Sequence, residues 1–142
     1  MDTSNPARLY ALVFGAVLVA AGVIGFFYNS DFSSGDAVPR DAVFGILDVN
    51  GWHNVVHIAT GALGLAAFAS LAASRAYAFG LGVVYIIVAI WGFALGDGEV
   101  ILNLVPINTA DSVLHLAIGV IGIIAGLAGS TRAAPQRVSR AT

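Results

Sequence analysis

The sequence predicts an all-α membrane protein of four transmembrane helices, arranged as two parallel two-helix repeats with both termini on the cytoplasmic side. Composition is the first reason. Apolar residues make up 58% of the chain, charged residues 10%, and the mean hydropathy is +0.90, whereas a soluble domain carries about a quarter charged residues. A chain of 142 residues holds about four spans of roughly 20 residues with their connections, and no separate soluble domain. The second reason is an internal repeat. Ala7-Arg8-Leu9-Tyr10-Ala11 returns 67 positions on as Ser74-Arg75-Ala76-Tyr77-Ala78, and Gly15, Gly25 and Phe26 return as Gly82, Gly92 and Phe93. Asn50-Gly51-Trp52-His53-Asn54-Val55-Val56-His57 returns 58 positions on as Asn108-Thr109-Ala110-Asp111-Ser112-Val113-Leu114-His115. Units with an even number of spans point the same way, so their pseudo-twofold axis runs along the membrane normal. The third reason is the placement of arginine. Arg8, Arg75, Arg132, Arg137 and Arg140 fall on one side of such a layout, which the positive-inside rule makes the cytoplasm.

Residues 1–6 are polar, and an unbroken apolar run follows from Leu9 to Phe27. Its position suggests a secretory signal, but its match to the internal segment after Arg75 makes it a retained first span. Tyr28 to Val49 is the longest connection, punctuated by Asn29-Ser30, Ser33-Ser34-Gly35 and Pro39. Within it, Ala42 to Leu47 is too short to span and too apolar to float free, so it is expected at the interface or folded onto the bundle mouth. The second span is expected from Gly51 to Ala73, a tight turn at Ser74-Arg75, and the third span as far as Leu95. Gly96-Asp97-Gly98-Glu99 is the next turn, Val100 to Ile107 repeats the earlier apolar approach with Pro106 in place of Asp48, and the fourth span covers Thr109 to Gly129. The repeat units are then residues 7–73 and 74–130 of one domain, 1–130, followed by a basic tail, 131–142, expected to be disordered and cytoplasmic. Glycines 61, 64, 119, 122 and 126 mark faces where helices approach closely. Tyr10 and Tyr77, Trp52 and Trp91 read as anchors in the interfacial aromatic belt.

The chain has no cysteine, which removes disulfides, thiolate metal sites and thiol redox chemistry. It shows no serine, histidine and acid arrangement, no phosphate-binding glycine loop and no basic nucleic-acid surface, so no catalytic residue is assigned and no nucleic-acid partner is expected. All three histidines lie in the repeated stretch. Asn50 and Asn108 stand just before their helices, where an asparagine caps the first free N–H groups. His53 and Asp111 occupy the position that closes a capping box, and the helix dipole favours an acid there. That explains Asp111 better than His53. His57 and His115 lie one turn further in on the same faces, roughly 10 Å below the helix start. An ionisable group at that depth faces the interior and has a partner or a role.

Several readings of these residues stay open. The imidazoles can hydrogen-bond across helices, with Asn54 and Ser112 as neighbours, and pin the outer ends of the bundle. His53, His57, Asp111 and His115 can offer three nitrogens and a carboxylate to a divalent metal such as zinc. His57 and His115 can be the axial ligands of a haem b. Movement of ions or protons through His57 and His115 is a further class. The His-x-x-x-His spacing at 53 and 57 lacks the zinc-protease glutamate, since Asn54 stands in its place.

Taken together, the Asn50-x-x-His53-Asn54-x-x-His57 start followed by Gly61, the Ala7-Arg8-x-Tyr10-Ala11 pair and the Asn108-x-x-Asp111-x-x-x-His115 start followed by Gly119 resemble a bacterial family of four-helix integral membrane proteins, catalogued as a domain of unknown function. The resemblance covers roughly residues 7–130, and in plan it is similar to the DoxX-like four-helix proteins. It implies the fold and a bacterial inner-membrane location, and it implies no activity. The leading functional expectation is a non-enzymatic accessory or scaffold protein of the lipid bilayer that self-associates through its glycine-bearing faces and carries no cofactor. The alternatives are a metal- or haem-binding membrane protein with its site at the outer end of the second and fourth helices, and a dimeric ion or small-solute carrier.

Overall fold

The computed structural model describes residues 3–35, 38–39 and 41–129. It is mostly helical, with α1 (Pro6–Gly25), α2 (Gly51–Ala67), α3 (Leu71–Leu95) and α4 (Thr109–Ala128). Of these, α1, α3 and α4 are long and apolar enough to cross a membrane. The all-α expectation is corrected by two antiparallel hairpins, β1 (Asp41–Val43) with β2 (Leu47–Val49), and β3 (Glu99–Ile101) with β4 (Val105–Ile107). Each hairpin leads directly into a helix, α2 or α4. The apolar segments at 42–47 and 100–107 therefore fold as hairpins over the helix starts. Their turns close through Ile46 N–H to Val43 O and Leu104 N–H to Ile101 O, both 3.0 Å. Phe44, Gly45, Leu102 and Asn103 all have positive φ, from 53° to 71°, the primed-turn geometry whose twist matches that of the strands.

The second helix is shorter than the sequence suggests. It ends at Ala67, and Ser70 caps α3 by accepting the Ala73 N–H at 3.1 Å. Ser74 and Arg75, expected in a turn, lie instead in the opening turns of α3. There the Ser74 hydroxyl donates to Ala67 O at 3.0 Å and Arg75 Nε donates to Gly126 O at 3.1 Å. At 17 residues, α2 is about 25 Å long, against a hydrocarbon core of about 30 Å. The Asn5 amide reaches Gly129 O at 3.5 Å, so the start of α1, the α2–α3 turn and the end of α4 share one end of the molecule. The hairpins occupy the other. The basic tail expected at 131–142, together with Arg132, Arg137 and Arg140, lies outside the described residues.

Packing is closest within two helix pairs, α1 with α2 and α3 with α4. Both crossings run backbone to backbone. A Cβ on Gly61 would stand 2.6 Å from Val19 N and 2.7 Å from Gly15 O, and one on Gly119 would stand 2.9 Å from Gly82 O. The tyrosines join the pairs. Tyr10 packs on Gly122 and donates its hydroxyl to Ile118 O at 3.1 Å, while Tyr77 packs on Gly64, and the two rings lie 6.1 Å apart. The expectation that Tyr10 and Tyr77 anchor at the membrane interface is thereby corrected, since Tyr10 is only 3% exposed and belongs to the core with Leu18, Leu81 and Tyr85. The missing side chains of Gly64 and Gly122 leave the space that those rings fill. Trp52 is also tied down, its indole N–H donating to Phe32 O at 2.9 Å.

These contacts set a clear contrast between glycines. Gly61→Val places methyl groups where backbone already stands and should destabilise the protein by about 1–3 kcal/mol. Gly80, with nothing within 4 Å of a Cβ built there, should gain up to about 1 kcal/mol as alanine. Thermal unfolding in detergent, followed by tryptophan fluorescence, reads both.

Candidate metal centre

The hairpin ends of the molecule are held by two asparagines. Asn50 accepts the His53 N–H at 2.9 Å as the N-cap of α2, and Asn108 accepts the Asp111 N–H at 2.9 Å as the N-cap of α4. Each amide also donates across to the other hairpin, Asn50 to Leu104 O at 2.6 Å and Asn108 to Ile46 O at 2.8 Å. Both expected caps are therefore present, and each carries a tertiary bond that capping alone does not require. Asp111 closes its capping box by accepting the Asn108 N–H at 3.3 Å, and the same oxygen accepts the Asp48 N–H at 3.0 Å. The helix start thus explains Asp111, as its position predicts.

His53 does not close a box. Its Nδ1 lies 2.9 Å from Asp48 O. A carbonyl oxygen only accepts, so Nδ1 carries the proton and Nε2 of the neutral ring is left with a free lone pair. Asp48 is consequently gripped on both sides, by its N–H from Asp111 and by its C=O from His53. One turn further into α2, the His57 ring packs edge-on against His53 with centroids 4.4 Å apart. Across the interior, the His115 ring centroid lies 6.1 Å from that of His53 and 6.2 Å from that of His57. One ligand atom from each of the three rings falls within 4.8 Å of the other two. His53 and His115 are buried, and His115 Nδ1 has no hydrogen-bond partner.

Of the four residues expected to form a site, the structure gathers His53, His57 and His115 into one cluster. Asp111 borders the same cavity, but both of its hydrogen bonds go to backbone N–H groups. That cavity, of about 310 Å³, lies between α1, α4 and the β1–β2 hairpin, with the histidines on its inner wall. Tyr85 was not singled out by the sequence, yet its ring meets His115 edge-on at 4.7 Å. The signal was available, because Tyr85 shares a face of α3 with Ala78, Gly82, Ala89 and Gly92, all buried. Outside the helices, the Thr109 hydroxyl and N–H hold the Asp97 carboxyl below the usual carboxylate range, and Ser33 does the same for Asp31. These exposed acids steady the loops and lie apart from the cluster.

The apolar helices and unknown-function domain fit a multi-pass membrane protein, and the described residues hold one buried histidine cluster. The chain belongs to the DUF4383 family, a domain of unknown function, whose model matches residues 8–128. Comparison with curated proteins and with solved structures gives no match.

The double role of the Asp111 carboxylate makes a stability test. Asp111→Ala leaves the Asp48 and Asn108 N–H groups without their acceptor, at a cost of about 1–3 kcal/mol. Asp111→Asn keeps an acceptor oxygen and should lose less. Denaturant or thermal unfolding of the two variants beside the wild type checks the order.

Proposed function

We propose that this protein is a four-span inner-membrane protein that binds one divalent transition metal through His53, His57 and His115. The observation that carries the reading is the convergence of three imidazole nitrogens within 4.8 Å on the wall of a cavity. An all-nitrogen set suits zinc, copper, iron or nickel. Three histidines around one ion leave its fourth position open, as in sites that bind or activate a further ligand. Around a tetrahedral ion with bonds of about 2.0–2.1 Å, three nitrogens stand about 3.4 Å apart, a separation inside the 4.8 Å within which these three already lie. The bond from His53 Nδ1 to Asp48 O supplies the outer-shell contact that fixes ring and tautomer in such sites. His53 also crowds the space beside the His57–His115 pair where a macrocycle would lie, which favours an ion over haem b.

The arrangement in the membrane is part of the same reading. Two two-helix units related along the membrane normal, with cytoplasmic termini, are supported by contacts that come in matching pairs: Asn50 to Leu104 with Asn108 to Ile46, and Gly64 under Tyr77 with Gly122 under Tyr10. Arg8 and Arg75 stand at the end that the positive-inside rule makes cytoplasmic. On this reading α2 completes its span together with the hairpin before it. The metal then lies near the outer face.

Elemental analysis of protein purified without chelator should find one metal per chain. His53→Ala, His57→Ala and His115→Ala should each weaken binding by more than the ~10–100-fold of an outer-shell change, and Asp111→Asn should retain it. Because the ligands must be deprotonated to bind, affinity should fall as the solution is made acidic. A metal-free protein whose histidine variants lose only thermal stability would return the cluster to a structural role. For topology, cysteines placed at Thr3 and Ser34 should react with a membrane-impermeant maleimide from opposite sides of the membrane, and labelling of both from one side would end the four-span layout.

A further inference from the structure

The cavity beside the histidines has a neighbour along α1. A second cavity, of about 440 Å³, lies between the lower halves of α1 and α4, and Phe14 lines both. The two adjoining cavities, called the α1–α4 furrow, are lined along α1 by residues from Pro6 to Ile24, about 27 Å at helical rise. Its walls are apolar except at one end. There the His53, His57 and His115 cluster borders it, and His115 Nδ1 is buried with no hydrogen-bond partner. Leu9, Val13, Val17 and Ile121 on the furrow's walls are half-exposed, and it lies between two helices long and apolar enough to cross a membrane, so on the four-span reading it opens to the bilayer interior. Ligand sites share this form, an apolar cleft with a few convergent polar groups.

We infer that the α1–α4 furrow binds a single-chain, lipid-soluble acid, with its hydrocarbon chain along α1 and α4 and its carboxyl oxygen at the histidine cluster. The chain is specified by the furrow alone. The acidic head rests on the metal reading: three neutral imidazoles leave a divalent ion its full charge in apolar surroundings, and a buried charge needs a counter-charge. Asp111 is committed to the Asp48 and Asn108 N–H groups. An anionic oxygen from the ligand fills the open position and offsets the charge, while the head–tail shape matches the polar end and apolar length of the site.

The test uses palmitic acid carrying a diazirine in its chain, photolysed with the full-length protein in nanodiscs, with metal content measured on the same preparation. Crosslinks should concentrate on residues 13–24 and 114–128. Unlabelled palmitic acid should compete about tenfold better than its methyl ester, the factor expected from one charge-assisted contact. Val17→Trp, at a half-exposed position on the furrow wall, should block labelling and leave the melting temperature of the metal-free protein unchanged, and Val13→Trp serves if that variant misfolds. Crosslinks spread evenly over α2 and α3, equal competition by acid and ester, or labelling that survives the tryptophan variants would each overturn the proposal and leave bulk lipid as the furrow's occupant. A metal-free protein that still labels the furrow with acid selectivity would sink the metal reading alone. A metal-loaded protein without such labelling would do the reverse.

Discussion

The structure depends on how two helix starts are satisfied where little water reaches them. Every helix leaves its first N–H groups without partners, and an unpaired buried polar group costs about 1–3 kcal/mol. Asn50 is buried and Asn108 half-buried, and each spends its oxygen on its own helix and its amide on the opposite hairpin. Losing either asparagine would uncap a helix and release a hairpin together. That coupling explains why the hairpins are ordered although each strand has three residues; an isolated hairpin of that size is marginal at best. It also brings β2 and β4 side by side between the helix starts, which is where Asp48 meets both His53 and Asp111.

Below that seam, packing relies on absent side chains. Lipid provides no hydrophobic drive between helices, so close approach and van der Waals contact must supply the association. The α1–α2 and α3–α4 crossings meet backbone to backbone at glycine, while the tyrosines bridge from one pair to the other. Between α1 and α4 the contacts are sparser, and that is where the furrow lies. A cleft beside the histidines is therefore a by-product of tight pairing elsewhere, since helices drawn closely into pairs leave a looser seam between the pairs.

Much of this was legible in the residues. Asn50 and Asn108 announce helix starts by type and position, Asp111 fits its capping box, and apolar runs locate α1, α3 and α4. The hairpins were not legible. Their turns use Phe44-Gly45 and Leu102-Asn103 rather than the asparagine–glycine or aspartate–glycine pairs that mark a primed turn, and bulky residues at positive φ are outliers that no pattern anticipates. The end of α2 was hidden because Phe68-Ala69-Ser70 continues an apolar run without glycine or proline, and only the Ser70 cap marks the break. Tyr10 and Tyr77 were misplaced because the sequence shows a tyrosine beside an arginine, and cannot show that a glycine on another helix makes room for its ring. The histidine positions were readable as one face of each helix, while their convergence required the hairpin that places Asp48.

The two halves of the site differ for a reason the chain itself contains. Position 106, the match of position 48 in the other hairpin, is proline and has no N–H. Asp111 sits opposite Asp48, whose N–H needs an acceptor, and a carboxylate supplies it. His53 sits where the corresponding N–H is missing, so a carboxylate there would gain no such bond and would remain a buried charge. A histidine instead takes the Asp48 carbonyl with Nδ1 and keeps the Nε2 lone pair free, its ring beside those of His57 and His115. One proline thus frees position 53 from the duty its counterpart performs. The asymmetry turns a pair of helix starts into a three-nitrogen cluster on one side of the seam, beside the cavity that opens between α1 and α4.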